Sequence, residues 1–279
     1  VQILNGKEVA AFHREKLQQQ VALLRDKNII PELALVLVGE DPAAVMYAAS
    51  LQKAAQQIGI TGRLYQFPDM VTETMLCTAI QGLNNNPIVY GIIVFMPLPK
   101  HISAHRITNA IKPEKDVDGL TETSMARLFM GKPLFVPCTP KAVMAMLAYY
   151  QIPLEGKEVA IIGRSNVVGK PLSQLCLQAH ATVTICHSHT RNLEKIVRRA
   201  DVVIAAVGKA EFITADMIKP GSVVLDVGIN RKHNQVVGDV DFASVSQVAG
   251  AITPVPGGIG AVTTIMMLEN ILLFKGDLG

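Results

Sequence analysis

The apolar run Val159-Ala-Ile-Ile162 leads directly into Gly163-Arg-Ser-Asn-Val-Val-Gly169, and helix-forming residues follow. A strand, a glycine-flanked turn and a helix in that order let backbone approach a dinucleotide phosphate, with the helix N-terminus aimed at its charge. The spacing departs from G-x-G-x-x-G, because Ser165 stands at the second glycine and one extra residue precedes Gly169. Many strand-to-helix turns carry glycine for geometry alone. The setting, more than the glycine pair, points to a cofactor.

The next strand ends in Cys186-His-Ser-His-Thr-Arg191. An NAD site usually carries Asp or Glu there to hold the ribose hydroxyls. This segment has no acid. Ser188 and Arg191, with Arg164 in the first turn, offer donors and positive charge to a 2′-phosphate that a carboxylate would repel. NADP is therefore expected over NAD. Arg191 reads equally as a solvated arginine at a helix start, and His187 as a loop histidine, whereas Arg164 lies inside the turn itself.

Three further loops combine polar or backbone-exposing residues: Lys115-Asp-Val-Asp-Gly119, Pro137-Cys-Thr-Pro140 and Thr253-Pro-Val-Pro-Gly-Gly-Ile-Gly260. In the first, Asp118 reads as a turn-capping residue. In the last, Pro256-Gly-Gly258 reads as a simple loop before the final helix. Cys77, Cys138, Cys176 and Cys186 are widely separated with no C-x-x-C pair, which signals neither a zinc site nor a disulfide framework.

These residues must be positioned by a chain of 279 residues, 49% hydrophobic and 18% charged. That length suggests about two domains, and that composition excludes a disordered chain. A net charge of +3 with 5% aromatic residues gives nucleic acid little to grip. Apolar runs fall short of the ~18 residues of a membrane span, and Val1 to Gly6 lacks a signal-peptide profile. A cytoplasmic protein with no membrane partner is expected.

Short β-branched runs alternate with helix-like segments. Lys7 to Arg25 reads as a helix, Leu33 to Val38 as a buried strand, and Pro42 to about Gln57 as a helix stopped by Gly59. A strand near Arg63 to Phe67, a helix near Met70 to Asn84 and the strand Gly91 to Val94 follow, with Met96-Pro-Leu-Pro99 ending the last. After a helix near Ser103 to Ile111, a boundary is placed near Thr139. Strands Val159–Ile162, Thr182–Ile185, Val202–Ala205 and Val223–Asp226 then alternate with helices, the pattern of a parallel sheet covered on both faces. An apolar helix from Val262 to Phe274 closes the chain.

Seven blocks carry a resemblance over nearly the whole chain: Val38-Gly39 with Asp41-Pro-Ala43 and Tyr47; Met96-Pro-Leu-Pro99; Lys115-Asp-Val-Asp-Gly119; Pro137-Cys-Thr-Pro140; Gly163-Arg-Ser165 with Val168-Gly169; Asp226-Val-Gly-Ile-Asn-Arg231; and Thr253-Pro-Val-Pro-Gly-Gly258. In order and spacing the sequence resembles the bifunctional methylenetetrahydrofolate dehydrogenase/cyclohydrolase family. The resemblance implies an α/β protein of two domains. One is a discontinuous α/β folate-binding domain, residues 1–138 and 262–279, and the other a Rossmann-like parallel-sheet domain for NADP, residues 139–261. Substrate would bind in the cleft between them, in a homodimer. The reactions implied are oxidation of 5,10-methylenetetrahydrofolate to the methenyl cation and hydrolysis of that cation to 10-formyltetrahydrofolate.

By the same resemblance Tyr47, Pro97, Leu98, Asp118, Pro256, Gly257 and Gly258 would orient folate. Gly163, Arg164, Ser165, Gly169, His187, Ser188, Arg191 and Ile229 would hold the cofactor. No metal is implied. The family's proton-transfer lysine lies four residues after the tyrosine, ~400° of helix rotation and so on the same face, but here that position is Leu51. The glutamine associated with that lysine is replaced by Phe95. Lys53 is turned about 200° further around the axis. Tyr47, Leu51, Phe95 and Asp118 thus form the candidate catalytic set, with two members altered. Ala142 and Ala261 are smaller departures, at positions where the family commonly has Gly and Pro. Dehydrogenase activity without effective cyclohydrolase activity is expected. The alternatives are a non-catalytic folate- or dinucleotide-binding paralogue and an oxidoreductase for a different substrate.

Overall fold

In the computed structural model, which describes residues 1–233 and 235–273, the chain runs β1 (Gln2–Ile3), α1 (Gly6–Arg25), β2 (Glu32–Val38), α2 (Pro42–Ile58), β3 (Thr61–Phe67), α3 (Glu73–Asn85), β4 (Val89–Val94), α4 (Ala104–Asn109), α5 (Glu122–Phe129), α6 (Cys138–Tyr149), β5 (Glu158–Ile162), α7 (Gly169–Gln178), β6 (Thr182–Cys186), α8 (Leu193–Val197), β7 (Val202–Ala205), β8 (Val223–Asp226), β9 (Asn230–Lys232), β10 (Gln235–Val237), α9 (Phe242–Val245), β11 (Ala251–Ile252) and α10 (Ile259–Leu273). The described residues divide into two compact units, residues 1–12 with 137–266 and residues 13–136 with 267–273.

The second of these contains a three-stranded parallel sheet in the order β3-β2-β4. All seven residues of β2 are buried: the apolar run Leu33 to Val38 is paired on both edges, and Glu32 is held by Arg63 at 3.1 Å and the Tyr65 hydroxyl at 2.8 Å. α2 begins as its sequence dictates: Pro42 takes the first turn, the Asp41 carboxylate accepts the Ala44 N–H at 2.9 Å, and Gly59 ends the helix in the left-handed region. Its buried stripe is Ala44, Ala48, Leu51, Ala55 and Ile58.

The other unit is built on a six-stranded parallel sheet, β1-β11-β8-β7-β5-β6. From β5 the chain goes to β6 on one side and then returns to β7 on the other, a topological switch of the kind that opens a ligand crevice beyond the strand ends. Buried Ala160, Ile162, Val203, Val224 and Ile252 form its core. Cys138, Cys176 and Cys186 are buried and Cys77 half-buried, all as free thiols. Burial pushes the Cys176 thiol up to about 12.

The division differs from the expected 1–138 with 262–279 against 139–261. Gln2 and Ile3 extend the large sheet by pairing in parallel with Ala251 and Ile252, which carries residues 1–12 into that unit, and residues 262–266 stay there as well. Phe274 and the rest of the expected terminal segment lie outside the described residues. None of the described helices is long and apolar enough to cross a membrane.

Candidate active site

Tyr47 and Leu51 are one turn apart on α2, and their environments differ. Tyr47 is 40% exposed, whereas Leu51 is fully buried in the helix's apolar stripe. Phe95 follows β4, its N–H donating to the Val36 carbonyl at 2.9 Å, and its ring meets that of Tyr47 edge-on with centroids 5.7 Å apart. Edge-to-face contact is a favoured aromatic geometry. The tyrosine is therefore flanked by a phenyl ring and, one turn along, by leucine. Pro97 is exposed beyond Phe95, and Leu98 is half-buried against the core. Lys53 is exposed and lines a separate groove with Arg25, Gln52 and Gln56.

The loop that carries Asp118 is pinned by its neighbours. Asp116 is buried and caps the turn, accepting the Leu120 and Thr121 N–H groups at 3.2 and 2.8 Å and the Ser124 hydroxyl at 2.6 Å. Buried Asn270 on α10 donates to the Val117 carbonyl at 2.8 Å. Lys115 is buried, and its ammonium donates to the Leu83 and Asn86 carbonyls at 2.9 and 2.7 Å, closing the end of α3. Burial, and then the nearby Lys112 charge, lower its pKa. Asp116 thus caps the turn, and Asp118 is half-buried on the same loop.

In the six-stranded unit Gly163 leaves β5 at φ +132°, and a Cβ there would lie 2.2 Å from the Ala206 carbonyl oxygen beyond β7. The glycine therefore sits against the neighbouring strand end at the topological switch. Gly169 approaches the Gly163 carbonyl so closely that a Cβ would lie 2.0 Å from its oxygen. Ser165 braces the turn: its hydroxyl oxygen accepts the Val168 N–H at 3.1 Å and its carbonyl accepts that of Lys170 at 3.0 Å. No side chain at Val168 caps α7. Arg164 is exposed beside this helix start. At the end of β6, the His187 N–H donates to the Thr190 hydroxyl at 2.8 Å, forming a tight turn with Ser188 and Arg191 exposed at its surface. Close backbone, an uncapped helix start and exposed arginines suit a dinucleotide phosphate.

A cavity of about 330 Å³ brings Ile229, Pro256, Gly257 and Gly258 together with Asp226 and Lys7. The glycine pair also packs against α1: the Gly6 N–H donates to the Gly257 carbonyl at 2.8 Å, and a Cβ on Gly258 would lie 2.4 Å from the Pro254 oxygen. Asp226 is 3% exposed, and burial pushes its pKa up to about 6 against three backbone N–H donors, with the nearby Asp239 charge adding to the rise. Sequence reasoning singled out Ile229 in this stretch and missed both aspartates. The signal lay in the glycines beside them, Gly228 and Gly238, which make room for carboxylates in the backbone.

Residues 4–118 match the family model for the tetrahydrofolate dehydrogenase/cyclohydrolase catalytic domain, and residues 137–276 match that for the same family's NAD(P)-binding domain. Bifunctional protein FolD 2 of Geobacter metallireducens is 51% identical over 271 residues, 97% of this chain and 95% of that one. The chain belongs to the tetrahydrofolate dehydrogenase/cyclohydrolase family. The crystal structure of the bifunctional enzyme FolD, methylenetetrahydrofolate dehydrogenase/cyclohydrolase, from Campylobacter jejuni superimposes with a TM-score of 0.97 at 42% identity, covering 99% of each chain. The methylenetetrahydrofolate dehydrogenase-cyclohydrolase of Trypanosoma brucei, solved with NADP cofactor and an inhibitor, gives 0.92 at 35% identity over 99% of this chain and 97% of that one. In this member of the family, the turn at Gly163 and the cavity at Ile229 both lie within the NAD(P)-binding domain match, and Tyr47, Leu51, Phe95 and Asp118 within the catalytic one.

Proposed function

We propose that this chain is an NADP-dependent 5,10-methylenetetrahydrofolate dehydrogenase in which the cyclohydrolase step is absent or severely reduced. Family membership supports the dehydrogenase. The observation that carries the second half is Leu51, fully buried one turn from Tyr47, together with Phe95 packed on the Tyr47 ring.

Oxidation needs two partners held in register, because the folate nitrogens themselves stabilise the cation that forms. Gly163, Gly169 and Ser165 would cradle the pyrophosphate. Arg164, His187, Ser188 and Arg191 would hold the 2′-phosphate, and Ile229 would line the nicotinamide side. NADP⁺ bound there supplies the hydride acceptor. Asp118 would accept the pterin's 2-amino and ring N–H groups, Tyr47 would stack on the ligand, and Pro97, Leu98 and Pro256 to Gly258 would complete its orientation.

Hydrolysis asks for a side chain that activates water and then delivers a proton to the departing nitrogen. Leu51 and Phe95 can do neither. Lys53, on another side of α2, lines its own groove and does not replace them. Loss of lysine and glutamine together is physically coherent, because neither polar group is left buried without its partner. A homodimer in the cytoplasm is the setting the resemblance gives this enzyme. The test follows NADPH and 10-formyltetrahydrofolate separately in one reaction: NADPH forms, and formyl product does not exceed the enzyme-free rate. Absence of NADPH despite binding of both ligands would favour a non-catalytic paralogue.

A further inference from the structure

Two buried carboxylates tie together the loops that follow β7 and β8. Asp226 ends β8; its Oδ1 accepts the N–H groups of Gly228 at 2.9 Å and Asp239 at 3.0 Å, and its Oδ2 that of Val240 at 2.9 Å. Asp239 is 0% exposed and takes four donors. Its Oδ2 accepts the Val207 and Gly208 N–H groups at 2.6 and 3.0 Å, and its Oδ1 accepts the Lys209 N–H at 2.9 Å and the Asn230 side-chain amide at 2.8 Å. Three successive N–H groups of the loop after β7 and the Asn230 side chain at the start of β9 thus converge on a single carboxylate.

Ile229 stands between the two ties. Gly228 before it is bound to Asp226, and Asn230 after it is bound to Asp239. The isoleucine between these fixed feet is 69% exposed and lines the cavity with Pro256 and Gly257. A Cβ on Gly228 would lie 2.2 Å from the Asp239 carboxyl carbon, so the close approach of this arch to the carboxylate requires glycine. Two desolvated acids are costly to bury unless fully hydrogen-bonded, and here they are spent on holding backbone around one exposed apolar side chain.

We infer that Asp226, Asp239 and Asn230 form a brace that positions Ile229 against the nicotinamide end of the dinucleotide, a role that rests on the NADP reading given above. None of the three need touch the reacting atoms; they are positioning residues. Hydride transfer depends on placement, and an arch with one foot loose lets Ile229 swing.

Titration of NADPH fluorescence tests this without turnover, and the chain has no tryptophan to interfere. Asn230→Ala removes one foot while leaving both carboxylates and all backbone N–H groups in place. It is expected to raise the NADPH Kd and the KM for NADP about tenfold, the scale of one lost charge-assisted hydrogen bond. The KM for methylenetetrahydrofolate and the preference for NADPH over NADH should stay unchanged, because Ser188 and Arg191 would hold the cofactor's other end. Asp239→Asn, which turns an amide donor towards N–H donors, should weaken NADPH further and lower Tm. Wild-type NADPH affinity in Asn230→Ala overturns the brace, as does an equal loss of folate and NADPH affinity. A wild-type chain that binds no NADPH overturns the dinucleotide reading itself, and the brace with it.

Discussion

A lysine introduced at position 51 would enter the apolar stripe of α2, where Leu51 has no exposure. Leu51→Lys alone should therefore destabilise the protein by about 2–4 kcal/mol in urea unfolding, as an ammonium buried without a partner does. Phe95→Gln supplies an amide beside Tyr47, so the double variant should recover part of that loss and gain measurable methenyl hydrolysis, with each single variant gaining less. The pair acts as a unit, and a double-mutant cycle measures it. Additive effects would show that the two positions do not communicate. The sequence revealed this altered pair because Tyr47 and Leu51 share a helix face through their spacing alone. The role of the neighbouring Asp116 was not legible, because its hydrogen bonds to the Leu120 and Thr121 N–H groups and the Ser124 hydroxyl follow no sequence period.

At the level of elements, the turn after β5 is the most constrained feature of the cofactor site. Gly163→Ala places a methyl group 2.2 Å from the Ala206 oxygen at a φ of +132°, and both the clash and the backbone strain count against it. The variant should lose about 2–4 kcal/mol of stability in urea unfolding and most of its NADPH affinity, checked by fluorescence titration. An unchanged affinity would remove this turn from the cofactor site. Strongly periodic elements such as α2 and the all-buried β2 were legible because burial imposes a pattern on consecutive residues. Short elements were not: β1 and β11 are two residues each and exist only because they pair with one another and with β8. The β9–β10 ribbon and α5 carry too few residues for a period to emerge.

For the whole molecule, stability should depend on pH through Asp226. Its pKa is pushed up by burial to about 6 from an ordinary value of 3.8. Well below pH 3.8 it is protonated whether the chain is folded or not, and no penalty arises. As pH rises towards 6 the unfolded chain ionises freely while the folded one must ionise a buried acid, so stability falls, by about 3 kcal/mol once pH exceeds both values. Urea unfolding of wild type and Asp226→Asn at pH 4.5 and 7.5 isolates this contribution: wild type should lose stability relative to the variant across that interval, and parallel curves would contradict it. A sequence boundary could be drawn at the Pro137-Cys-Thr-Pro140 loop, but the return of residues 1–12 to the large sheet depends on pairing between strands some 250 positions apart.

The most direct measurement supplies the unmodified protein with 5,10-methenyltetrahydrofolate and follows its hydrolysis against an enzyme-free control, in parallel with NADPH formation from 5,10-methylenetetrahydrofolate. NADPH should form rapidly, with hydrolysis no faster than the control. Enzyme-dependent appearance of 10-formyltetrahydrofolate at a rate comparable with NADPH formation would contradict it.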